Sequence, residues 1–583
     1  MIQERTLKLI IFFFAICSIA SAKTYYVSTS GKDSYDGLTK STPWATLAYA
    51  ESHATSQGDI IALKKGDKWT LTKTLYITHG GISGHSIVWD GSLWGDGVNA
   101  IIQTTTALGL GVINIGGCSY VTIEKLKIDA NKTDTQGIII GSYYLQNNEH
   151  YITIQDCVIN NIGDASENYH GVYVETWRND MYNIIIQRNS FNYIAGCAAF
   201  LYCGRTLMGA TPAEIHDSYI GYNTITNYST AGTAECIGIN NRVSNAIIEH
   251  NTSTVGEYGQ YANGIVVGSG EFDNGAGQVG WYPTGLVVRY NDIRTYDYPA
   301  VYIQGCQAQS LTFYYNKFYQ EKASTTAKNG VIRIEKDYAA LTYAGADIRF
   351  YNNTIVSSSG ASSCFADLTQ YNGVVDLKNN LMINTGSSGS MGLCYIDVSG
   401  STVHSYNSYY RSAVGDLIYY FYMTPYIQYY RTDTASIEET GIFSNPKLTD
   451  VAGFDWTLQA SSPCINSGID VGLTLDYAGN PVADKPDIGA YEYGYNNNNT
   501  KSMMFIFPNP TRKLINISLE GELPTINHTV RLINMAGKII QIEKLPPGIK
   551  DFQIPINIIP GVYIMQLVSG NSTAATQKLI VLN

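Results

Sequence analysis

From residue 121 to residue 410 the chain repeats one short phrase: alternating apolar and polar positions, an Asn, then a second apolar pair. It reads VTIEKLKI (121–128), ITIQDCVI (152–159), IIIQRNSF (184–191), SYIGYNTI (218–225), AIIEHNTS (246–253), LVVRYNDI (286–293), LTFYYNKF (311–318), IRFYNNTI (348–355), VVDLKNNL (374–381) and VHSYNSYY (403–410). The Asn positions are Asn189, Asn223, Asn251, Asn291, Asn316, Asn353, Asn380 and Asn407, with Cys157 and then Leu126 in the same slot of the earlier copies. From Cys157 onward the copies lie 25 to 40 residues apart, the spacing of stacked coils that carry insertions.

Period-two alternation marks a half-buried strand, and a second short strand follows each Asn directly. Asn tolerates left-handed backbone and bonds locally, so it suits a tight turn between the two strands, where stacked amides can bond one another along the axis. A third strand precedes the next copy: HGVYVE (170–175), ECIGIN (235–240), NGIVVG (263–268), PAVYIQ (299–304) and NGVIRIE (329–335). Three strands per coil, no helical periodicity and a turn Asn predict an all-β, single-stranded parallel β-helix, whose right hand is what the resemblance described below implies. A sandwich or a propeller is the competing reading, but propeller blades need hairpin turns every few residues.

Composition changes this picture little. Of 583 residues 45% are hydrophobic, 12% aromatic and only 15% charged, with 55 Gly for turns. A net charge of −11 and the lack of any basic stretch argue against nucleic acid as a partner. Residues 1–22 carry Arg5, Lys8, an apolar run from Leu9 to Ile16 and Ala20-Ser21-Ala22, which predicts a cleavable signal peptide with the mature chain starting at Lys23. No later apolar run reaches transmembrane length, so a soluble exported chain is expected, as a monomer. Nine cysteines remain beyond Cys17, odd in number and without CxxC pairs. They read as buried small residues rather than a disulfide framework, with Cys197 and Cys203 the one pair near enough in sequence to bridge a loop.

Both ends carry resemblances. Residues 25–69, YYVSTSGKDSYDGLTKSTPWATLAYAESHATSQGDIIALKKGDKW, resemble the opening segment of right-handed β-helix carbohydrate enzymes of the pectate-lyase-like class. That implies an N-terminal cap over residues 23–70, in which Asp33, Asp36 and Gly37 are turn residues rather than ligands, because an uncapped coil exposes an apolar cross-section. Residues 441–493, ending DIGAYEY, resemble the closing segment of exported β-helix proteins and are expected to form a C-terminal lid, so that the helix domain spans 23–493. A polar linker, 494–502, follows. FPNPTRKLINISLEG (507–521), RLINMAGKII (531–540), PGVYIMQLVSG (560–570) and KLIVLN (578–583) resemble the type IX secretion C-terminal sorting domain, placing it at 503–583. Pro508, Asn509, Pro510, Gly561, Tyr563 and Lys578 match its pattern, which implies a small antiparallel sandwich, recognition by the type IX secretion machinery and a secreted or cell-surface location.

In the pectate-lyase-like enzymes substrate lies along one strand face, which by resemblance is the third-strand face here. With Val172, Val174, Ile237, Ile239, Ile265, Val267, Val301, Ile303, Ile332 and Ile334 inward, the outward positions are Tyr173, Glu175, Gly238, Asn240, Val266, Gly268, Tyr302, Gln304, Arg333 and Glu335. AAFLYCGR (198–205) reads as a poorly phased coil between them. Arg178, Arg205 and Arg242 follow successive strands and are expected to line up as a binding row for an acidic polysaccharide, with a salt-bridge ladder as the alternative. Tyr173, Trp177 and Tyr302 are expected to stack on sugar faces, with Asn240 and Gln304 as polar contacts.

For a uronate polymer, β-elimination needs a base and a positive neutraliser. His170, Arg205, Arg242 and Arg333 are candidates, and Glu271 with Asp273 offer a short acidic turn for Ca²⁺. Hydrolysis of a neutral glycan needs two carboxylates instead, drawn from Glu175, Glu335 and Asp367, although Glu175 and Glu335 lie several rungs apart. The motifs of polygalacturonases and alginate epimerases are not found. The expectation is a secreted protein acting on an extracellular polysaccharide, with a lyase ahead of a glycoside hydrolase and a non-catalytic glycan binder or adhesin as the further alternative.

Overall fold

The structure, a computed structural model, describes residues 22–141, 149–164, 168–204, 213–231, 234–254, 262–268, 282–304, 310–322, 330–335, 344–358, 363–368, 372–386, 393–396, 402–411, 417–421, 427–482 and 485–494. In the C-terminal domain it describes 503–507, 514–520, 528–534, 538–546, 551–556, 558–559, 561–569 and 572–581. The signal peptide predicted for residues 1–22 lies outside them except for Ala22.

Each coil gives one strand to each of three sheets. Met181–Gln187 lies in sheet 1, Ser190–Ile194 in sheet 2 and Ala199–Cys203 in sheet 3. The next coil pairs with all three in parallel, Ile185 beside Tyr219, Phe191 beside Ile225 and Leu201 beside Ile239. Repetition builds sheets of 15, 12 and 13 strands around one apolar core, which is the parallel β-helix expected. All ten residues assigned inward on the third strands are fully buried. The 198–205 coil is not out of phase: Ala199 and Leu201 pair with Val172 and Val174, and Phe200 and Tyr202 face outward.

The Asn slot forms a continuous hydrogen-bonded ladder. The Cys157 N–H donates to Asn189 Oδ1 at 3.0 Å, Asn189 N–H and Nδ2 donate to Asn223 Oδ1, and the pattern runs through Asn251, Asn291, Asn316, Asn353 and Asn380 to Asn407. Glu438 ends it, accepting the Asn407 N–H at 2.8 Å and its Nδ2 at 3.2 Å. The left-handed residue of each turn is not the ladder Asn but the one before it: Arg188, Tyr222, His250, Tyr290, Tyr315, Asn352, Asn379 and Tyr406 all have φ between 51° and 57°. Such backbone costs about 1–2 kcal/mol at a non-Gly residue, which the ladder's buried hydrogen bonds offset at about 1 kcal/mol each.

At the N-terminal end the helix Leu47–His53 turns Leu47 and Ala50 into the core. Asp33 accepts the N–H groups of Ala45 and Thr46, and Asp36 accepts that of Leu38, so both serve the cap's turns. At the other end an antiparallel strand, Ile427–Tyr430, pairs with Leu417–Phe421, while Ile437 and Phe443 enter the core. The segment expected to be a terminal lid does something else after Phe443: it runs back along the flank. Leu448, Trp456 and Leu458 pack on Val356, Leu381 and Ile383 of sheet 2, and Asn352 and Asn379 donate to the carbonyls of Asp487 and Ile469.

Residues 503–581 form antiparallel sheets of three and four strands with their own core, including Ile506, Ile517, Leu532, Met565 and Leu579. Pro508, Asn509 and Pro510 lie outside the described residues.

Candidate functional site

Strand register on sheet 3 creates two outward columns. One runs Ile139, Tyr173, Phe200, Gly238, Val266, Tyr302, Arg333 and Ala366. The other runs Glu175, Tyr202, Asn240, Gly268, Gln304 and Glu335. Side chains lean one rung forward. A Cβ at Gly238 would lie 2.6 Å from the Phe200 ring, one at Gly268 2.5 Å from Asn240 Oδ1, and one at Gly204 2.2 Å from the Trp177 indole. Gly204 thus lets Trp177 lie flat against the sheet.

A cleft of about 550 Å³ opens at the early end of this face, lined by Leu108, Leu110, Asp134, Gln136, Tyr169, Tyr173 and Glu175 among others. Gln136 fixes its wall, its Oε1 accepting the His170 N–H and its Nε2 donating to the Asn168 carbonyl at 2.6 Å. Leu108 N–H donates to Thr135 Oγ1 at 2.9 Å and ties down the opposite rim. Around Glu175 the rings form a patch: Tyr173 stacks on Phe200 at 5.7 Å, and Trp177 meets Tyr202 edge-on at 6.2 Å.

Glu175 is the chemically distinctive group. Its Oε1 accepts the Trp177 indole N–H at 2.6 Å. Burial raises its pKa above the ordinary carboxylate value, against the opposing pull of hydrogen bonds from Trp177 and Tyr173. The Tyr173 hydroxyl is itself held well above its usual range, by burial first and the neighbouring carboxylate second. A carboxyl pushed toward its protonated form beside a patch of aromatic rings has the makings of a general acid.

The other predicted residues divide. His170 is buried, packs on Tyr173 and Phe200, and spends its Nδ1 lone pair on the Cys197 N–H at 3.0 Å. Burial pushes its pKa down to about 3, so it stays neutral and is poorly suited to act as a base. Arg178 is exposed beyond Trp177 and Arg205 lies outside the described residues. Arg242 pairs with Glu214 at 3.3 Å, the salt-bridge alternative to a binding row. Arg333 and Glu335 pair at 2.6 Å, with the Tyr302 hydroxyl donating to Glu335 at 2.7 Å and the guanidinium 5.3 Å from the Tyr302 ring centroid. Five rungs of about 4.8 Å separate Glu175 from Glu335, roughly 24 Å, so they do not form one acid–base pair. Asp367 is in register with the inward Ile334 rather than with Glu335. Glu271 and Asp273 lie outside the described residues, among which no cluster of three or more His, Cys, Asp or Glu could hold a metal. Cys197 and Cys203 are both free thiols, so no bridge joins them.

Asp134, Gln136 and Tyr169 escaped the sequence reading because the cleft reaches one rung earlier than HGVYVE. The signal was present: QGIII (136–140) is a third strand with the same phase, its Ile138 and Ile140 in register with Val172 and Val174.

Residues 505–582 match the model of the secretion system C-terminal sorting domain. No curated protein sequence matches the chain. Among solved structures it is similar to a lacto-N-biosidase from Eubacterium ramulus, with 16% identity, a TM-score of 0.45, and 66% of this chain and 67% of that one covered. It is also similar to the A-module of a mannuronan C-5 epimerase from Azotobacter vinelandii, with 11% identity, a TM-score of 0.41 and coverage of 69% and 95%. The Dettilon tailspike protein follows at 14% identity, a TM-score of 0.38 and 68% coverage of both chains. Among the described residues no helix is long and apolar enough to cross a membrane. The chain is thus a parallel β-helix protein whose C-terminal segment belongs to the secretion sorting domains, which mark it for secretion or the cell surface.

Proposed function

We propose that the protein is a carbohydrate-active enzyme that binds an extracellular glycan along sheet 3 and hydrolyses it in the cleft around Glu175. The observation that carries this reading is a carboxyl with a raised pKa inside a cleft faced by Tyr169 and Tyr173, with Trp177 bonded to it. The rings take the C–H face of a sugar. Glu175 gives its proton to the glycosidic oxygen as the C–O bond breaks. Water adds to the anomeric carbon and passes its proton to Asp134, the second carboxyl of the cleft.

Hydrolysis is favoured over elimination because the groove's described candidates for base and neutraliser are otherwise engaged. Arg242 and Arg333 each face a carboxylate, and His170 is neutral with Nδ1 occupied. The test is a panel of polygalacturonate, alginate, xylan and mixed-linkage β-glucan, with and without chelator, following reducing ends and the absorbance of unsaturated uronate together. Reducing ends without new absorbance, lost in Glu175→Gln, are expected. New absorbance overturns hydrolysis in favour of elimination, and retained binding without any product leaves a glycan-binding protein.

A further inference from the structure

The C-terminal domain ends one of its sheets in an apolar edge. The four-stranded sheet runs Ile539–Leu545, His528–Asn534, Gly561–Ser569 and Ser572–Val581, all antiparallel, and among the described residues Ile539–Leu545 pairs on one side only. The other side of such a strand offers unpaired backbone N–H and C=O groups, which proteins commonly guard with Lys or Pro. Here the first four positions are Ile539, Ile540, Gln541 and Ile542, and the three isoleucines are 42%, 38% and 52% exposed.

Register extends this edge into a face. Val530 and Leu532 are buried in the domain core, so Arg531 and Ile533, which alternate with them, point outward. Ile542 lies beside Arg531, while Ile539 and Ile564 lie on either side of Ile533, with the position of Lys578 next in the same row. One apolar row thus crosses three strands and ends at a residue that matches the sorting pattern. Gln541 points the other way, its Nε2 donating to the Pro555 carbonyl at 3.2 Å.

Charge narrows the partner. Residues 503–583 hold seven Lys and Arg against four Asp and Glu, a net +3, whereas the whole chain carries −11, which leaves −14 on residues 1–502. Lys538 and Lys544 stand exposed at the two ends of the edge, and Arg531 lies beside Ile542. A second copy of the same face would set these cations against one another, and a protein surface rimmed with carboxylates would complement them.

We propose that this edge and face are where the sorting domain is read: a receptor protein of the export machinery adds an extended strand along Ile539–Leu545, rests apolar side chains on Ile533, Ile539, Ile542 and Ile564, and brings carboxylates to Arg531, Lys538 and Lys544. Strand addition draws affinity from main-chain hydrogen bonds and selectivity from the side chains that flank them. The family match gives the domain its sorting role. The geometry assigns the face, and no part of the assignment depends on Glu175.

The test expresses the full chain in a bacterium with type IX secretion and measures the share of the protein that leaves the cell. Ile542→Lys, a charge at an exposed edge position, should lower that share by about tenfold or more, the effect of about 1.4 kcal/mol on receptor binding, with an unchanged melting temperature of the purified protein. Ile542→Thr keeps a strand-forming residue and removes only apolar surface; it should lower export in the same direction, and it decides the matter if the lysine variant melts early. Val403→Lys, at an exposed position on the helix, and Gln553→Lys, at an exposed position on the three-stranded sheet, should leave export unchanged. Export of both Ile542 variants at the wild-type level would overturn the inference, as would an equal loss from Gln553→Lys. A concentration-dependent dimer of the wild type that Ile542→Lys abolishes while its export stays intact would also overturn it, and would give the face to a second copy of the chain.

Discussion

Glu175 and Glu335 occupy the same outward column of the same sheet, at the same phase of nearly the same phrase, VYVE and IRIE, yet they are different groups. Beside Glu175 stands Tyr173, and the carboxyl is held by neutral donors and pushed toward its protonated form by burial. Beside Glu335 stands Arg333, which pairs with it at 2.6 Å. The stacking geometry is common to both, so it explains neither. One outward neighbour, Tyr or Arg two residues earlier, separates a carboxyl pushed toward its protonated form from half of an ion pair.

The sharpest way to break this comparison is to neutralise each carboxyl in turn. Glu175→Gln should lower glycan hydrolysis by about 10²–10⁴-fold, the usual worth of a general acid, while Glu335→Gln should change it by less than about fivefold, as expected for a half-buried ion pair about five rungs from the cleft. Equal losses would show the two ends to be equivalent.

Tyr173→Arg makes the Glu175 end resemble the Glu335 end. A guanidinium beside the carboxyl favours its charged form and lowers its pKa. The alkaline limb of the pH–rate profile, which reports the acid, should then move down by about 1–3 pH units, and activity at neutral pH should fall with it.

The third test attacks what the two ends share. Asn251→Ala removes the acceptor of the Asn223 N–H and Nδ2 on a rung between them, and should cost about 1–3 kcal/mol of stability, read from denaturant unfolding. Hydrogen exchange should then rise on both sides of the lesion. The smallest effect is expected from Trp177→Phe. Loss of the indole N–H removes a bond to the carboxylate form of Glu175, so the alkaline limb should move up, by less than about one pH unit, with the limb unmoved if Trp177 only packs.

Much of this architecture was legible before the fold. The third-strand phasing placed Val172, Val174, Ile332 and Ile334 inside and Tyr173, Glu175, Arg333 and Glu335 outside, because alternation on a strand leaves only two phases. The Asn slot announced a ladder, though not that the preceding residue carries the left-handed backbone or that Glu438 ends it. The Arg178, Arg205 and Arg242 row was less legible, since sequence spacing cannot tell a guanidinium aimed at a ligand from one met by Glu214. The role of His170 turned on burial and on the Cys197 N–H, neither of which a turn histidine announces.

The sequence by itself determined the coil, its repeat and the inward and outward faces of each strand, because those follow from local alternation and from one recurring turn residue. Only the tertiary structure decided who stands next to whom: Asp134 with Glu175 in one cleft, and the 441–493 segment along the flank. Rung-to-rung neighbours are separated by insertions of variable length, so their contacts are fixed by parallel register across the stack rather than by distance along the chain.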